Sequence, residues 1–271
     1  MSMTGTLRMK AVCRGDKTVV ADTYFDGAFK VARPVYFEEN EPTVYSLHVG
    51  GGYVGGDRYH TGVVLEQDAK MTLTTQSAAK VYKTPNEPVY QFMDISLAPG
   101  SVFMYLPDPL IAYEQARFQQ ETIIHMEKGS TLLYSDSMTP GWSKSGHPFQ
   151  YEWIRSKVKI YEEGALQVYD HLFLKPSERD VCTLMQMEGY THAGSLFIVS
   201  PMLKQAWQEE LEQIFEPYNE QARIGFSTLK NNGCTIRILA NATYVVEEMI
   251  LKCTNWLRTK LGQEPVQLRK Y

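Results

Sequence analysis

The chain has 271 residues, of which 44% are hydrophobic and 21% charged, and this composition is typical of a folded globular protein rather than a disordered one. Its formal net charge of −4, with no concentrated basic run, argues against a nucleic-acid-binding protein. The first residues lack the apolar stretch of a signal peptide, and no run long enough for a membrane span occurs, so we expect a cytoplasmic protein.

The first distinctive segment is HVGGGYVGGDRYH (48–60), which contains the pattern G-x-G-x-x-G. In dinucleotide-binding proteins this pattern opens a helix, whose free N–H groups bind the pyrophosphate. Here the following residues are rich in Val and Thr and predict a strand. We therefore expect a tight connection between strands, in which Gly51, Gly52, Gly55 and Gly56 form a structural loop.

Up to about residue 190 the sequence is a series of short β-rich runs separated by turn residues. Four segments share one layout, in which an apolar strand end is followed by a turn and a second apolar strand. Their first strands end at Leu65, Leu97, Met126 and Tyr161. A spacing of about thirty residues predicts stacked or wrapped β-coils, and a β-sandwich with similar hairpins is the alternative.

The sequence pattern changes near residue 195, where longer amphipathic stretches appear. We predict a strand at SLFIVS (195–200), a helix over 201–215 with Pro201 in its first turn, two strands around Asn231-Asn232-Gly233, and a helix over 243–261. The predicted fold class is mainly β. It comprises a β-helix-like wrapped body over residues 1–190 and a small C-terminal α/β (β-α-β-β-α) subdomain over residues 191–271, packed as one globular unit.

The candidate metal ligands are oxygen and imidazole groups that do not form a local chelating motif. His48 and His60 flank the glycine segment that holds Asp57, and Asp170-His171 lies in the last β-unit. Together with Asp136 they form a ligand set that suits divalent nickel, zinc or magnesium. The four cysteines are far apart, which favours reduced thiols over a disulfide framework or a zinc site.

Two enzyme classes are alternatives to this interpretation. The sequence SAAK (77–80) matches the S-x-x-K pattern of serine acyl-enzymes, but it follows a predicted strand and lacks the partner motifs downstream. Paired carboxylates for glycoside cleavage are the stronger alternative. A β-helix could align Asp57, Asp108, Asp136 and Asp170 along one lumen.

Several segments together resemble one known family. GGYVGGD (51–57), TTQSAAKVYKT (74–84), YLPDPLIAYEQARFQQ (105–120), YSDSMTPGWSKSG (134–146) and VYDHLFL (168–174) occur in the order and spacing of the urease accessory protein UreD family, called UreH in some bacteria. The chain departs from the family pattern at Trp142 and His147, where Arg and Glu are common.

The resemblance implies a non-catalytic scaffold with a β-helical wrap and a few helices. Members bind the accessory protein UreF, reach the GTPase UreG through it, and dock on apo-urease, to which the assembly delivers nickel. A water-filled tunnel is the proposed route. Carried onto this sequence, Asp57, Asp136 and Asp170 are the expected tunnel-lining carboxylates. Nickel(II) is expected to pass transiently, and no permanently bound cofactor is implied.

This picture is physically reasonable, because a cation in transit needs polar groups that each bind it weakly enough to release it. The glycine loop is then expected to aim Asp57 inward, and the alternative is that Asp57 only caps a turn. Lys80 and Tyr82 either hydrogen-bond one of the acids or are simply a surface Lys and a half-buried Tyr, and the second interpretation is favoured.

Overall fold

The structure is a computed structural model, and it describes residues 2–203, 206–230 and 232–268. The strands in these ranges are β1 (Gly5–Arg14), β2 (Lys17–Gly27), β3 (Phe29–Val31), β4 (Val35–Glu38), β5 (Glu41–His48), β6 (Arg58–Leu65), β7 (Lys70–Thr75), β8 (Ala79–Val81), β9 (Val89–Leu97), β10 (Val102–Leu106), β11 (Leu110–Ala112), β12 (Arg117–Met126), β13 (Thr131–Met138), β14 (Trp153–Glu162), β15 (Ala165–Leu174), β16 (His192–Val199), β17 (Ala222–Thr228) and β18 (Gly233–Ala240). The helices are α1 (Trp207–Phe215), a short 3-10 helix (Glu216–Tyr218) and α2 (Thr243–Lys260).

The strands form two sheets. The first has the order β15-β14-β12-β9-β6-β1-β2, and the second has the order β17-β18-β16-β13-β10-β7-β5-β3, with β4, β8 and β11 attached beside it. Between β6 and β14 the main strands alternate between the two sheets, and each pairs in parallel with the equivalent strand of the previous coil. The predicted mainly β, wrapped arrangement is therefore confirmed.

Three of the four repeated segments form the corners of this wrap. Leu65, Leu97 and Met126 are neighbours in register at the ends of β6, β9 and β12. Each strand is followed by four residues that cross to the second sheet, and the third of these has a positive φ: Asp68, Gly100 and Gly129. Gly100 has a φ of 71°, and a Cβ atom there would lie 2.1 Å from Asp68 Oδ1 of the neighbouring corner, so glycine is favoured at this position.

The fourth segment is not a coil, and the prediction was wrong on this point. Only Glu163 and Gly164 separate β14 from β15, and both have a positive φ, of 49° and 76°. Two such residues form the tight turn of a hairpin, so β15 returns antiparallel beside β14 in the same sheet. The hairpin ends the run of wrapped coils.

Hydrophobic side chains form two cores, one on each side of the second sheet. On β13, Leu132 and Tyr134 face the first sheet, and Leu133 belongs to the core beneath α1 and α2. Strands buried on both faces carry nearly continuous apolar runs, as this strand does. On the first sheet the burial pattern alternates, as in β14, so its outer face is not covered by another layer.

The C-terminal strands extend the second sheet, since β16 pairs antiparallel with β13 and β18 with β16. The helix predicted over 243–261 is confirmed as α2. The preceding helix begins at Trp207 rather than Pro201, because Leu203 N donates to the Ser200 carbonyl and closes a turn first. Residues 204–205 lie outside the described residues.

The predicted tight turn before β18 is confirmed at Asn232, which has a φ of 37°, and Asn231 lies outside the described residues. No helix in the described part of the chain combines the length and apolar character that a membrane crossing requires.

Candidate functional site

Three cavities lie in a row between the two sheets, and we call this row the inner passage. Their volumes are about 170, 60 and 30 Å³. The first and second cavities share Tyr53 and Ala79 in their walls, and the second and third share Gln120 and Asp136. A buried water needs a volume of roughly 10–15 Å³, so each cavity has room for water.

The glycine loop forms part of the wall of the first cavity. Gly51, Gly52 and Gly56 have φ values of 72°, 153° and 88°. At Gly52 a Cβ atom would lie 2.6 Å from the Tyr82 ring and 2.9 Å from the Lys80 carbonyl oxygen, so the close approach requires glycine. A strand, β6, follows this loop, which confirms that the segment is not the helix start of a dinucleotide site.

Asp57 closes the glycine loop and does not line any of the three cavities. One of its oxygens accepts a hydrogen bond from Thr4 Oγ1 (3.1 Å), and the other accepts from Val54 N and from the Tyr59 hydroxyl, both at 2.8 Å. These contacts match the turn-capping alternative. Three donors, one from the loop, one from β6 and one from the residue before β1, therefore fix the orientation of the carboxylate.

Tyr59 connects Asp57 to His48, which lines the first cavity. The hydroxyl of Tyr59 gives its only proton to Asp57, so His48 Nε2 must be the donor in the 3.0 Å contact with the same hydroxyl. Burial lowers the pKa of His48, and the charge of Asp57 partly opposes this shift. His48 is thus held as a neutral imidazole at neutral pH, with Nδ1 as its lone-pair nitrogen.

Asp136 lies at the junction of the second and third cavities. Strand β13 places it on the face that points toward the first sheet, where Gln120 Nε2 donates to its Oδ2 at 2.5 Å and Ser156 Oγ at 3.2 Å. Burial, with a smaller contribution from the charge of Asp170, raises the pKa of Asp136 to about 6. The hydrogen bonds and Arg237 oppose this shift, so the carboxylate is largely ionised at neutral pH.

Asp170 is close to the third cavity but is already paired. Its Oδ1 accepts from Arg237, which also donates to Ser195, a residue in the wall of that cavity. An opposite charge in direct contact satisfies a carboxylate and weakens its attraction for a passing cation. The described effects of Asp170 at this cavity are indirect: its charge raises the pKa of Asp136, and it pairs with the arginine that contacts Ser195.

Asp108 is a carboxylate of the inner passage that the set of expected metal ligands left out. It is 7% exposed, lines the second cavity, and accepts a hydrogen bond from Thr75 Oγ1 at 2.6 Å. It also borders a further cavity of about 160 Å³ beside α2. In the sequence it was named only for the carbohydrate-enzyme alternative, and it lies between two prolines directly after the buried run of β10.

The structure does not bring the remaining expected ligands to the inner passage. His60 lies on the outer face of the first sheet, 2.7 Å from Asp94, and His171 is exposed on the outer face of β15. The pleat explains both positions, because successive side chains of a strand point to opposite faces. His60 alternates with Tyr59 in this way, and His171 with Asp170.

The two possible supporting residues make no described contact with an acid. The Tyr82 hydroxyl donates to the Gly51 carbonyl at 3.0 Å. Lys80 borders the first cavity, but it is an exposed residue. At the two departures from the family pattern, Trp142 packs on Tyr113 with ring centroids 5.0 Å apart, and the His147 ring contacts Ser145.

The chemistry of this arrangement is that of separated polar groups. Within residues 2–203, 206–230 and 232–268, no three His, Cys, Asp or Glu side chains come together as a metal-binding cluster. Instead His48, Asp108 and Asp136 are distributed over three successive cavities. Such an arrangement offers a cation several weak contacts and no closed coordination shell.

Comparison with known proteins gives a consistent result over the whole chain. The family model described as UreD urease accessory protein matches residues 3–271. A protein of Bacillus sp. (strain TB-90) named urease accessory protein UreD is 44% identical over 272 residues, covering 100% of both chains. Proteins of the same name from Lachnoclostridium phytofermentans and Staphylococcus epidermidis are 38% and 35% identical, each covering 99% of this chain and 98% of the relative.

Proposed function

Because the chain belongs to the UreD family of urease accessory proteins, we propose that it is a non-catalytic scaffold and nickel conduit in urease maturation. In this proposal it works in the cytoplasm with a UreF-like protein, with a UreG-like GTPase bound through that protein, and with the structural subunits of urease. Nickel(II) passes through it to the apo-urease active site and does not remain as a permanent cofactor.

The observation that supports the conduit is the inner passage with its two carboxylates, the buried Asp108 and the half-buried Asp136. An aquo nickel ion entering a protein interior must keep oxygen or nitrogen neighbours, because an unpaired buried charge is strongly disfavoured. Water in the cavities and carboxylates at intervals supply these neighbours. No described group of ligands is large enough to hold the ion tightly, which favours release over storage.

Carbohydrate cleavage, the strongest enzyme alternative, is not favoured by the same cavities. Ligand pockets for small organic molecules usually have volumes of roughly 300–1,000 Å³. The cavities that contain Asp108 and Asp136 have volumes of about 60, 160 and 30 Å³. A sugar chain would require these acids to face an open cleft.

The test is nickel loading of purified apo-urease with the accessory proteins present and either wild type, Asp136→Asn or Asp108→Asn. We expect both variants to co-purify with the partners but to lower the nickel content of urease, measured by elemental analysis, by more than half. Asp94→Asn is the matched control, because Asp94 is an exposed carboxylate on the outer face of the first sheet. Unchanged nickel content with both passage variants would refute the conduit.

Asp57 is a poorer choice for this test. Its three hydrogen bonds hold the glycine loop, so Asp57→Ala is expected to disturb the wall of the first cavity as well as remove a charge. A loss of nickel loading in that variant would therefore have two explanations.

A further inference from the structure

The outer face of the first sheet carries a compact group of basic and aromatic side chains at its β14–β15 end. We call it the β14–β15 face and define it by Trp153, Arg155, Lys157, Tyr169, His171 and Phe173. These residues are at alternate positions of the two strands, and the intervening residues are buried or turned toward the other sheet. Arg155 is opposite Phe173 in register, and Lys157 is opposite His171.

Arg155 is held in place by aromatic rings, and none of the described residues accepts a hydrogen bond from it. Its guanidinium lies 4.7 Å from the centroid of the Phe173 ring and 5.7 Å from that of Trp153. Its Nε is buried without a hydrogen-bond partner, and it has no ion pair among the residues that the structure describes. A planar guanidinium fixed in this way is prepared to bind a carboxylate with little loss of side-chain freedom.

The neighbouring charges leave this part of the sheet positive. Glu121 is the carboxylate nearest in register to Lys157, but it accepts a 2.8 Å hydrogen bond from Lys159 instead. Lys157 makes no ion pair within the described ranges. Two cations, Arg155 and Lys157, thus stand uncompensated on a chain whose formal net charge is −4.

The aromatic residues give this face a second property. Tyr169 and Phe173 are 56% and 40% exposed on β15, the last strand of the sheet. Aromatic side chains and arginine are enriched in protein interfaces and supply most of their binding energy. Nucleic acid is a weaker fit, because such binding usually engages many more cations than these two.

We propose that the β14–β15 face is a docking surface for an acidic surface segment of a protein partner. Arg155 and Lys157 bind carboxylates of the segment, and Trp153, Tyr169 and Phe173 pack against its apolar atoms. This inference rests on the proposed function in one respect: the partner is taken to be one of the proteins of urease maturation. It assigns no part of the inner passage to this contact.

The test compares the affinity of wild type and of Arg155→Glu/Lys157→Glu for apo-urease and for the UreF-like protein, each at low and moderate ionic strength. We expect the double variant to bind one of the two partners at least about tenfold more weakly, because like charges would then face each other. We also expect the affinity of wild type for that partner to fall as salt rises.

Arg8→Glu is the matched control, since Arg8 is exposed on the same outer face of the first sheet. It lies on β1, four strands from β14, a separation of roughly 19 Å at the usual strand spacing. Its affinities should equal those of wild type. The milder Arg155→Ala/Lys157→Ala variant keeps the test valid if the charge reversal prevents folding, and thermal unfolding of each variant reports this directly.

The outcomes separate this inference from the proposed function. If wild type binds the partners and both double variants bind them equally well, the docking surface is overturned and the conduit stands. If wild type binds neither partner, the proposed function fails and this inference fails with it. Binding of a uridine-rich single-stranded RNA that the charge reversal abolishes, with both protein affinities unchanged, would reassign the face and also overturn the proposal.

Discussion

Asp136 is the residue through which pH is expected to act on the inner passage. Burial raises its pKa from an ordinary value of 3.8 to about 6. Below pH 3.8 the carboxyl group of Asp136 is mostly protonated in both the folded and the unfolded chain. As the pH rises toward 6 the unfolded chain loses this proton first, so the free energy of unfolding decreases, by about 3 kcal/mol in total above pH 6.

Asp136→Asn should remove this dependence, because an amide has no proton to lose in this range. We expect the free energy of unfolding of the variant, measured with urea, to exceed that of wild type by up to about 3 kcal/mol near pH 8. The difference should close near pH 4. Asp94→Asn serves as the control, and a wild-type advantage that grows with pH would contradict the expectation.

Tyr59, His60 and His48 show how far the sequence alone determines the site. The inward direction of Tyr59 follows from its alternation with Thr61 and Val63, and the opposite direction of His60 follows equally. The contact of Tyr59 with His48 does not follow, because β5 and β6 belong to different sheets. A local pattern gives the face of a strand, whereas the partner across the interior depends on how the sheets are stacked.

At the scale of elements, the number of residues between strands decides whether the chain changes sheet. Four residues follow β6, β9 and β12, and two follow β14. The four-residue corners and the two-residue hairpin turn all contain a turn residue next to an acidic or small residue. The repeated pattern of apolar and turn residues therefore does not distinguish a corner from a hairpin. The loop length was readable in the sequence, but only once the strand ends were known to within a residue.

The contact between α2 and the second sheet depends on a glycine in β16. A Cβ atom at Gly194 would lie 2.6 Å from Val246 Cγ1 of α2, so the helix approaches the strand more closely than alanine allows. We expect Gly194→Ala to lower the free energy of unfolding by about 1–3 kcal/mol through overpacking. Chemical denaturation followed by circular dichroism measures this change.

Two further variants make this prediction specific. Gly194→Ala combined with Val246→Ala should cost less than the sum of the two single changes, because the second removes the methyl group that the first displaces. Gly225→Ala on β17 should leave stability unchanged or slightly higher, since a Cβ atom there meets no atom within 4 Å. Additive costs in the double variant would show that the close approach is not the cause.

At the scale of the whole molecule, a buried ion pair joins the two ends of the chain. Arg258 of α2 donates to both oxygens of Glu41 in β5, at 3.0 and 3.1 Å, and also to Glu38. Glu41 further accepts from Thr72 Oγ1 at 2.8 Å and from Gln263 Nε2 at 2.7 Å. Arg258 and Glu41 are separated by 217 positions, so neither the strand pattern nor the helix pattern indicated the contact.

This network should make the C-terminal helix and the N-terminal strands unfold together. Arg258→Ala would leave the buried carboxylate of Glu41 without its charge partner, and such changes cost roughly 3–5 kcal/mol.

Lys260→Ala is the matched control, because both side chains of its pair with Glu210 are about 40% exposed and the pair should contribute at most about 1 kcal/mol. Adding Glu41→Gln to Arg258→Ala should recover part of the loss, since the amide carries no charge to leave unpaired. If Arg258→Ala and Lys260→Ala lowered the free energy of unfolding equally, the buried pair would not be what holds α2 to the wrapped strands.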